Sequence, residues 1–185
     1  MASRLGKDGS GLDRRTFLSA SVATGASLAF GGLTLRARAQ DRRLATIGGT
    51  AKTQYGQVRG LLKDGVQQFW CVPYGAPTSG ANRFMPPQKS AAWSGVKDHF
   101  EVTWAAPMDP NGEEPAPVVT ALNRKSPQSE DCLTVNVFTP ALDNKARPVM
   151  VWMHGGGFSQ GSGNYLLYDG TNLAKKEDVV VVSVN

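Results

Sequence analysis

Two continuous apolar runs in the second half of the chain each predict a buried β-strand. They are residues 149–153 (Val-Met-Val-Trp-Met) and the valine-rich residues 179–184. Continuous runs rich in β-branched residues suit strands that are buried on both faces, as in a parallel sheet. A glycine-rich loop (154–163) and a predicted short helix (171–177) separate the two runs. A strand, a helical crossover and a second strand predict a βαβ unit, and therefore an α/β fold.

Shorter patterns precede this unit. The Asp64-Gly65 pair stands between short apolar stretches and predicts a β-hairpin. Residues 75–130 are rich in Pro, Gly, Asn and Ser and predict a long, packed loop region. Residues 133–138 alternate and predict another strand. Because the last valine run lies at the end of the sequence and would leave a strand edge unpaired, we expect this chain to be the front part of a larger domain.

The N-terminal segment has the features of an export signal. An Arg14-Arg15 pair precedes an uncharged run (16–35), and Ala37 and Ala39 fit the small-residue pattern of a cleavage site. Arg-Arg followed by Phe-Leu is similar to the twin-arginine signals of bacteria. A membrane anchor or a buried helix is less favoured, because glycines and hydroxyl side chains make the run only mildly apolar.

This interpretation divides the chain into a signal (1–39) and a mature region (40–185), with cleavage between Ala39 and Gln40. It predicts bacterial export machinery as a partner and a periplasmic or extracellular location. The signal carries six Lys and Arg residues against two Asp, whereas the mature region has 14 Lys and Arg against 13 Asp and Glu. The basic charge therefore belongs to the signal, and we expect no nucleic acid partner.

Chemistry is predicted at the glycine loop. His154-Gly155-Gly156-Gly157 directly follows the predicted strand 149–153. Ligands of open α/β sheets bind at the carboxyl ends of strands. Three consecutive glycines let the backbone approach a ligand closely, and their N–H groups can donate hydrogen bonds to an anionic oxygen.

Three competing motifs fail in the same loop. A phosphate-binding P-loop needs Lys where Ser162 stands, and a dinucleotide-binding loop needs Gly where Gln160 stands. Residues 157–161 match Gly-x-Ser-x-Gly formally. The nucleophile of such a motif follows its strand directly and begins a helix, whereas the predicted strand ends at Met153 and a glycine-rich segment follows Ser159. We therefore do not expect Ser159 to be a nucleophile.

Several short motifs occur in a specific order across most of the mature region. They are Phe69 and residues 56–60, 72–77, 83–87, 93–98, 129–138, 148–158 and 168–170. In this order they resemble the N-terminal part of the type B carboxylesterase family, which includes cholinesterases and bacterial para-nitrobenzyl-type esterases. The resemblance implies the N-terminal part of an α/β-hydrolase fold, with hairpins, a long loop region and the first strands of a central, mostly parallel sheet.

The resemblance also implies hydrolysis of a small-molecule ester through an acyl-enzyme. Gly156 and Gly157 would donate their backbone N–H groups to the oxyanion, and His154 and Gly155 would shape the turn. The Ser, acid and His of the triad would all lie beyond residue 185. We expect this chain to hold no nucleophile, acid or base, to need no cofactor or metal, and to be inactive alone. The alternative is a non-catalytic, esterase-like binding or adhesion protein.

One departure from the family pattern concerns a cysteine, and the roles of a few other side chains follow from the sequence. The family pairs the cysteine corresponding to Cys132 with one at the position of Ala106, so Cys132 lacks that partner. We favour two free, buried thiols over a Cys71–Cys132 bond. His99 lies in no motif and is not expected to be catalytic. Three aromatic residues either line an apolar pocket or serve packing alone, and the sequence leaves both roles open; they are Tyr74, Trp104 and Phe158.

Overall fold

The computed structural model describes residues 45–108 and 126–185, whose strands form one mixed sheet. The strands are β1 (Thr46–Lys52), β2 (Gln57–Lys63), β3 (Val66–Pro73), β4 (Val96–Asp98), β5 (Thr134–Thr139), β6 (Val149–Met153) and β7 (Val180–Val184). The α-helix α1 spans Thr171–Glu177, and two short 3₁₀ helices span Gly80–Asn82 and Leu166–Tyr168. The predicted export signal, with Ala39 and Gln40, lies outside the described residues and stays a prediction.

The strand order is β1-β2-β3-β5-β7-β6, with β4 paired against β2. Neighbours from β1 to β7 run antiparallel, whereas β6 and β7 run parallel, as do β2 and β4. The chain passes from β6 through α1 to β7, and Val149 lies opposite Val180. The predicted βαβ unit is confirmed, and α1 begins and ends at the residues that the sequence indicated.

The hairpin between β2 and β3 has the two-residue turn that the sequence predicted. Lys63 lies opposite Val66, and the intervening Asp64 and Gly65 have φ angles of 54° and 83°. Positive φ at both central residues is typical of the type I′ turn, whose twist matches that of the strands it joins.

A hydrophobic cluster forms where α1 packs against β3, β5 and β7. Its buried members are Val66, Trp70, Phe138, Ala174 and Val181. The Trp70 and Phe138 rings meet edge to face with their centroids 5.2 Å apart, a favoured aromatic geometry. On the same side of the sheet, Nε2 of the buried Gln68 donates a hydrogen bond of 2.7 Å to Oγ1 of Thr171 in α1.

The burial predicted for residues 149–153 is wrong, although the strand itself is present. Its side chains are exposed by between 40% (Met150) and 77% (Met153). Strand β6 stands at the end of the strand order, and α1 packs on β3, β5 and β7 instead. Among the described residues, no helix has the length and apolar character needed to cross a membrane.

Both cysteines are free and buried, as the sequence favoured. Cys71 lies where the register between β3 and β5 shifts, and its φ of 54° marks a local irregularity. Its Sγ accepts a hydrogen bond from the Thr103 N–H at 3.3 Å and lies 3.6 Å from Oδ1 of Asn164. The thiol of Cys71 is therefore part of a packed polar environment. Burial raises the pKa of the Cys132 thiol, which favours its neutral form.

Candidate active site

Residues 154–161 of the predicted glycine-rich segment 154–163, named the glycine loop, make a tight turn directly after β6. The carbonyl oxygen of Gly156 accepts hydrogen bonds from the N–H groups of Ser159 and Gln160, both at 3.1 Å. Gly156 and Gly157 have φ angles of 129° and 60°, which residues other than glycine rarely adopt. A Cβ atom at Gly156 would overlap the Gln160 carbonyl oxygen. The turn therefore requires glycine at this position for space as well as for backbone conformation.

His154 contributes to the shape of the loop. Its Nδ1 lies 2.8 Å from the Gly155 carbonyl oxygen, which accepts the Nδ1–H hydrogen. A Cβ at Gly161 would lie 2.6 Å from the same Nδ1 and would overlap the Gly155 carbonyl. The two ends of the loop thus pack closely against each other at His154. This geometry agrees with the loop-shaping role expected for His154 and Gly155.

The loop lines a pocket of about 240 Å³, and residues 106–108 line it from another segment. Within the described chain, the N–H groups of Gly156 and Gly157 donate to no protein acceptor. Backbone N–H groups without a protein partner are suited to bind an anionic oxygen. Gly156 and Gly157, which the sequence predicted as donors, thus line one pocket, and their role as donors stays a prediction.

Ser159 lies in the same pocket without the surroundings of a nucleophile. Its Oγ donates to the Gly156 carbonyl at 3.2 Å, and in the parts of the chain that are described no imidazole is hydrogen-bonded to it. The strand ends at Met153, and the segment after Ser159 is not helical until the 3₁₀ turn at Leu166–Tyr168. Among residues 45–108 and 126–185 no base is hydrogen-bonded to Ser159, and the expectation that it is not a nucleophile stays a prediction.

Of the three aromatic residues considered for the pocket, only Phe158 lines it, and its side chain is fully exposed. Tyr74 donates its hydroxyl to the Asn185 carbonyl at 3.1 Å, and burial raises its pKa. The carbonyl oxygen of Trp104 accepts hydrogen bonds from the side-chain amides of Asn164 and Asn185. No group of three or more His, Cys, Asp or Glu side chains suited to a metal ion occurs in residues 45–108 and 126–185.

The sequence did not reveal a buried polar cluster beside this pocket. Its members are Asn136, Ser162, Asn164 and Ser183, all fully buried. A signal for it was present, because Asn136 interrupts the valine-rich strand β5 and amide side chains are uncommon in strands. The alternating pattern of β5 predicted the strand, but Thr134 and Asn136 are buried, whereas Val135 and Val137 are only half-buried.

Asn136 is the centre of this cluster. Its Oδ1 accepts the Cys71 N–H at 2.8 Å. Its Nδ2 lies within hydrogen-bond distance of the Gly163 carbonyl (3.0 Å), Asn164 Oδ1 (3.1 Å) and Ser183 Oγ (3.1 Å). One side chain thereby joins β3, β5 and β7 to the segment that directly follows the glycine loop. Because unpaired buried polar groups are costly, this arrangement fixes that segment on the sheet.

His99 lies away from the pocket, between β2 and β3. Its N–H donates to the Arg59 carbonyl at 2.8 Å, and its own carbonyl accepts the Trp70 N–H at 3.0 Å. The ring Nδ1–H donates to the Trp70 carbonyl at 3.0 Å, whereas the buried Nε2 has no partner in the described residues. Burial lowers the pKa of His99 below its ordinary value of 6.5, and the charge of Lys97 lowers it further.

We expect the folded chain to lose stability as the pH falls below about 6.5, because the unfolded state then binds a proton that folded His99 resists. The His99→Gln variant should show a flatter dependence between about pH 7.5 and about pH 5.5. The midpoint of urea unfolding, measured at several pH values for the unaltered chain and for His99→Gln, gives both pH dependences. Hydrogen bonds from arginine side chains lower the pKa values of Asp98 and Asp143 from 3.8. These two carboxylates therefore change the stability only at more acidic pH. An equally steep decline in the variant would contradict the role of His99.

Comparison with known proteins agrees with this fold. The model of the carboxylesterase family matches residues 48–185. The chain is 40% identical over 134 residues to the para-nitrobenzyl esterase of Bacillus subtilis, covering 72% of this chain and 26% of that protein. A solved structure of a thermophilic PNB esterase superposes with a TM-score of 0.65 at 38% identity, covering 74% of this chain and 27% of the other. The chain therefore belongs to the carboxylesterase family, and its sheet is part of an α/β-hydrolase fold.

Another relative bears a different kind of name. The chain is 34% identical over 170 residues to neuroligin-2 of mouse, covering 72% of this chain and 20% of that protein. In all three comparisons the chain spans about a quarter or less of the relative's length. The activities of these relatives therefore do not by themselves establish the activity of this chain.

Proposed function

We propose that this chain supplies the oxyanion-hole loop of a serine carboxylesterase acting on a small-molecule ester. The observation that carries the proposal is the pair of N–H groups at Gly156 and Gly157, which line a pocket and have no protein acceptor in the described chain. His154 and Gly155 keep the loop in shape. The serine, acid and histidine of the triad belong to residues that this chain does not contain.

The proposed chemistry follows from where charge develops. When a serine attacks an ester carbonyl, the carbonyl oxygen becomes negative, and the N–H groups of Gly156 and Gly157 bind it more strongly than they bind the neutral ester. Each such donor contributes about 2.7–4 kcal/mol to lowering the barrier. The intermediate then loses the alcohol, which takes the proton that the histidine removed from the serine, and leaves an acyl-enzyme. Water hydrolyses the acyl-enzyme, which releases the acid and restores the serine. Serine acyl transfer of this kind needs no cofactor.

The proposal extends to the N-terminal segment. Residues 1–39 would direct export of the folded protein by the twin-arginine route, and cleavage between Ala39 and Gln40 would release the mature region. Its ester substrate would then be met in the periplasm or outside the cell. Mass spectrometry of the exported protein tests this part independently, because a mature N-terminus at Gln40 is expected.

The function is tested with the purified chain and with a chimera. In the chimera, residues 48–185 replace the matching segment of the Bacillus subtilis para-nitrobenzyl esterase. We expect no turnover of a para-nitrophenyl ester by the chain alone, because it lacks a triad, and measurable turnover by the chimera. A folded but inactive chimera would contradict the proposed role of the loop. Turnover by the chain alone that disappears in Ser159→Ala would contradict the assignment of Ser159.

The second candidate function is a non-catalytic, esterase-like binding protein, and the match to neuroligin-2 is compatible with it. The two candidates differ in one feature of the coding sequence. An esterase requires a Gly-x-Ser-x-Gly motif after the strand β7, whereas a binding protein does not. Reading the gene beyond the codon for Asn185 separates them.

A further inference from the structure

We propose that Asn164 is a positioning residue that fixes the separation between the two walls of the candidate oxyanion pocket. One wall is the glycine loop (154–161), and the other is the segment 106–108. These two walls are far apart in the sequence and belong to different segments of the chain. A pocket built in this way needs a contact that holds the segments in register with each other.

The Asn164 side chain makes that contact. It lies three residues after the glycine loop and is fully buried. Its Nδ2 donates to the carbonyl oxygen of Trp104 at 3.1 Å, two residues before the other wall. Its Oδ1 accepts a hydrogen bond from Nδ2 of Asn136 at 3.1 Å, which anchors the bridge to β5. One amide group, three residues after the glycine loop, is therefore bonded both to Trp104, two residues before the other wall, and to β5 of the sheet.

A second amide supports the same bridge. Nδ2 of Asn185 donates to the Trp104 carbonyl at 3.0 Å and to the Cys132 carbonyl at 3.1 Å. Its Oδ1 accepts the hydroxyl hydrogen of Ser162 at 2.8 Å. The Ser162 Oγ in turn accepts the Asn164 N–H at 3.1 Å. Two amides thus converge on one carbonyl oxygen, and both lead back to residues 162–164.

The 106–108 wall is also held from its other side. The Ala105 N–H donates to the Pro127 carbonyl at 2.9 Å, and the Ser129 N–H donates to the Ala105 carbonyl at 3.0 Å. The Met108 N–H donates to Oε1 of Gln128 at 2.9 Å. These hydrogen bonds fix the 106–108 wall against residues 127–129. Its position relative to the glycine loop then depends on the hydrogen bond between Asn164 and the Trp104 carbonyl.

The chemistry of the site favours asparagine. It requires a donor facing the Trp104 carbonyl and an acceptor facing Asn136, and a single amide supplies both. Aspartate has nearly the same shape, but when ionised it places an oxygen against the Trp104 carbonyl. Leucine would remove both hydrogen bonds of the Asn164 amide at a buried site, which is destabilising. The Asn164→Asp variant therefore removes the bridge with the least change in volume.

The consequence for catalysis rests on the proposed function. Oxyanion donors act at hydrogen-bond distance from the developing charge, so small displacements of the loop weaken them. The bridge itself is a claim about coupling between two segments and is measured without a substrate. A failure of the esterase proposal and a failure of this inference therefore give different results.

The test is amide hydrogen exchange, measured by NMR on the full chain and on Asn164→Asp. We expect exchange about tenfold faster at the hydrogen-bonded amides Ser159 and Gln160 of the glycine loop and at Ala105 and Ser129, whose hydrogen bonds hold the 106–108 wall. The reason is that one buried hydrogen bond between the two segments is lost. Amides of β2 and β3 should change by less than about twofold. The matched control is Gln68→Met, which removes a buried amide bonded to Thr171 in α1 and should leave the wall amides unchanged.

Three results would overturn the inference. The first is that amide exchange in Asn164→Asp becomes faster by the same factor throughout the sheet, which indicates only a general loss of stability. The others are faster exchange beside one wall alone and unchanged exchange beside both walls. If Asn164→Asp does not fold, amide exchange in the unaltered chain still tests the inference. Its Asn164 and Ala105 amides should then show protection factors within about threefold of each other, because they open together, and a difference above about tenfold would refute the coupling.

Discussion

Alanine at Gly156 is expected to lower the kcat of the chimeric esterase by about 10²–10³-fold, with little change in KM. A Cβ at this position would overlap the Gln160 carbonyl oxygen, and the φ of 129° is unfavourable for alanine. The turn must therefore open, which displaces the N–H groups of Gly156 and Gly157 from the oxyanion. Because these donors act mainly in the transition state, the loss falls on kcat.

Gly155 provides a matched control in the same loop. A Cβ there would meet no atom within 4 Å, and its φ is not in the left-handed region. We expect Gly155→Ala to fold and to retain kcat within about fivefold, since its carbonyl still accepts the His154 hydrogen bond. Steady-state kinetics and thermal unfolding of both variants are the measurements. Similar kcat values for the two variants, with intact folds, would show that the Gly156 turn does not position the donors.

Features that depend on neighbouring residues in the sequence were predictable. The turn at Asp64-Gly65, the helix α1 and the parallel pairing of β6 with β7 all follow from short patterns of glycine, polar and apolar residues. The position of the glycine loop at the end of β6 follows in the same way. The residue-by-residue match to the carboxylesterase family then assigned roles to Gly156 and Gly157, which lie in one pocket in the structure.

Features that depend on distant partners were not predictable. Asn136 bonds to Cys71, 65 residues away, and no local pattern specifies that pairing. The exposure of β6 depends on which elements stand beside it, whereas its composition alone indicated burial. His99 directly follows β4, which pairs with β2, and its backbone hydrogen-bonds to both β2 and β3, a consequence of tertiary packing. The coupling of the two pocket walls through Asn164 belongs to the same class.

Replacing Asn136 by leucine is expected to lower the free energy of unfolding by about 3–5 kcal/mol. Leucine is similar in size, so packing changes little. The Cys71 N–H, however, loses its acceptor inside the protein, and the Gly163 carbonyl and Asn164 Oδ1 each lose a donor. Since domains are stable by only about 5–15 kcal/mol, such a loss would leave a measurable unfolded population.

Gln68→Met separates this effect from the loss of any buried amide. Gln68 is equally buried but makes one side-chain hydrogen bond to Thr171, so we expect a loss of about 1–2 kcal/mol. Urea unfolding followed by tryptophan fluorescence and circular dichroism gives both values. Equal losses in the two variants would mean that the several hydrogen bonds of Asn136 act no more strongly than one. A loss at Asn136 at least twice that at Gln68 would place the energetic centre of the polar cluster at β5, beneath the segment that carries Asn164.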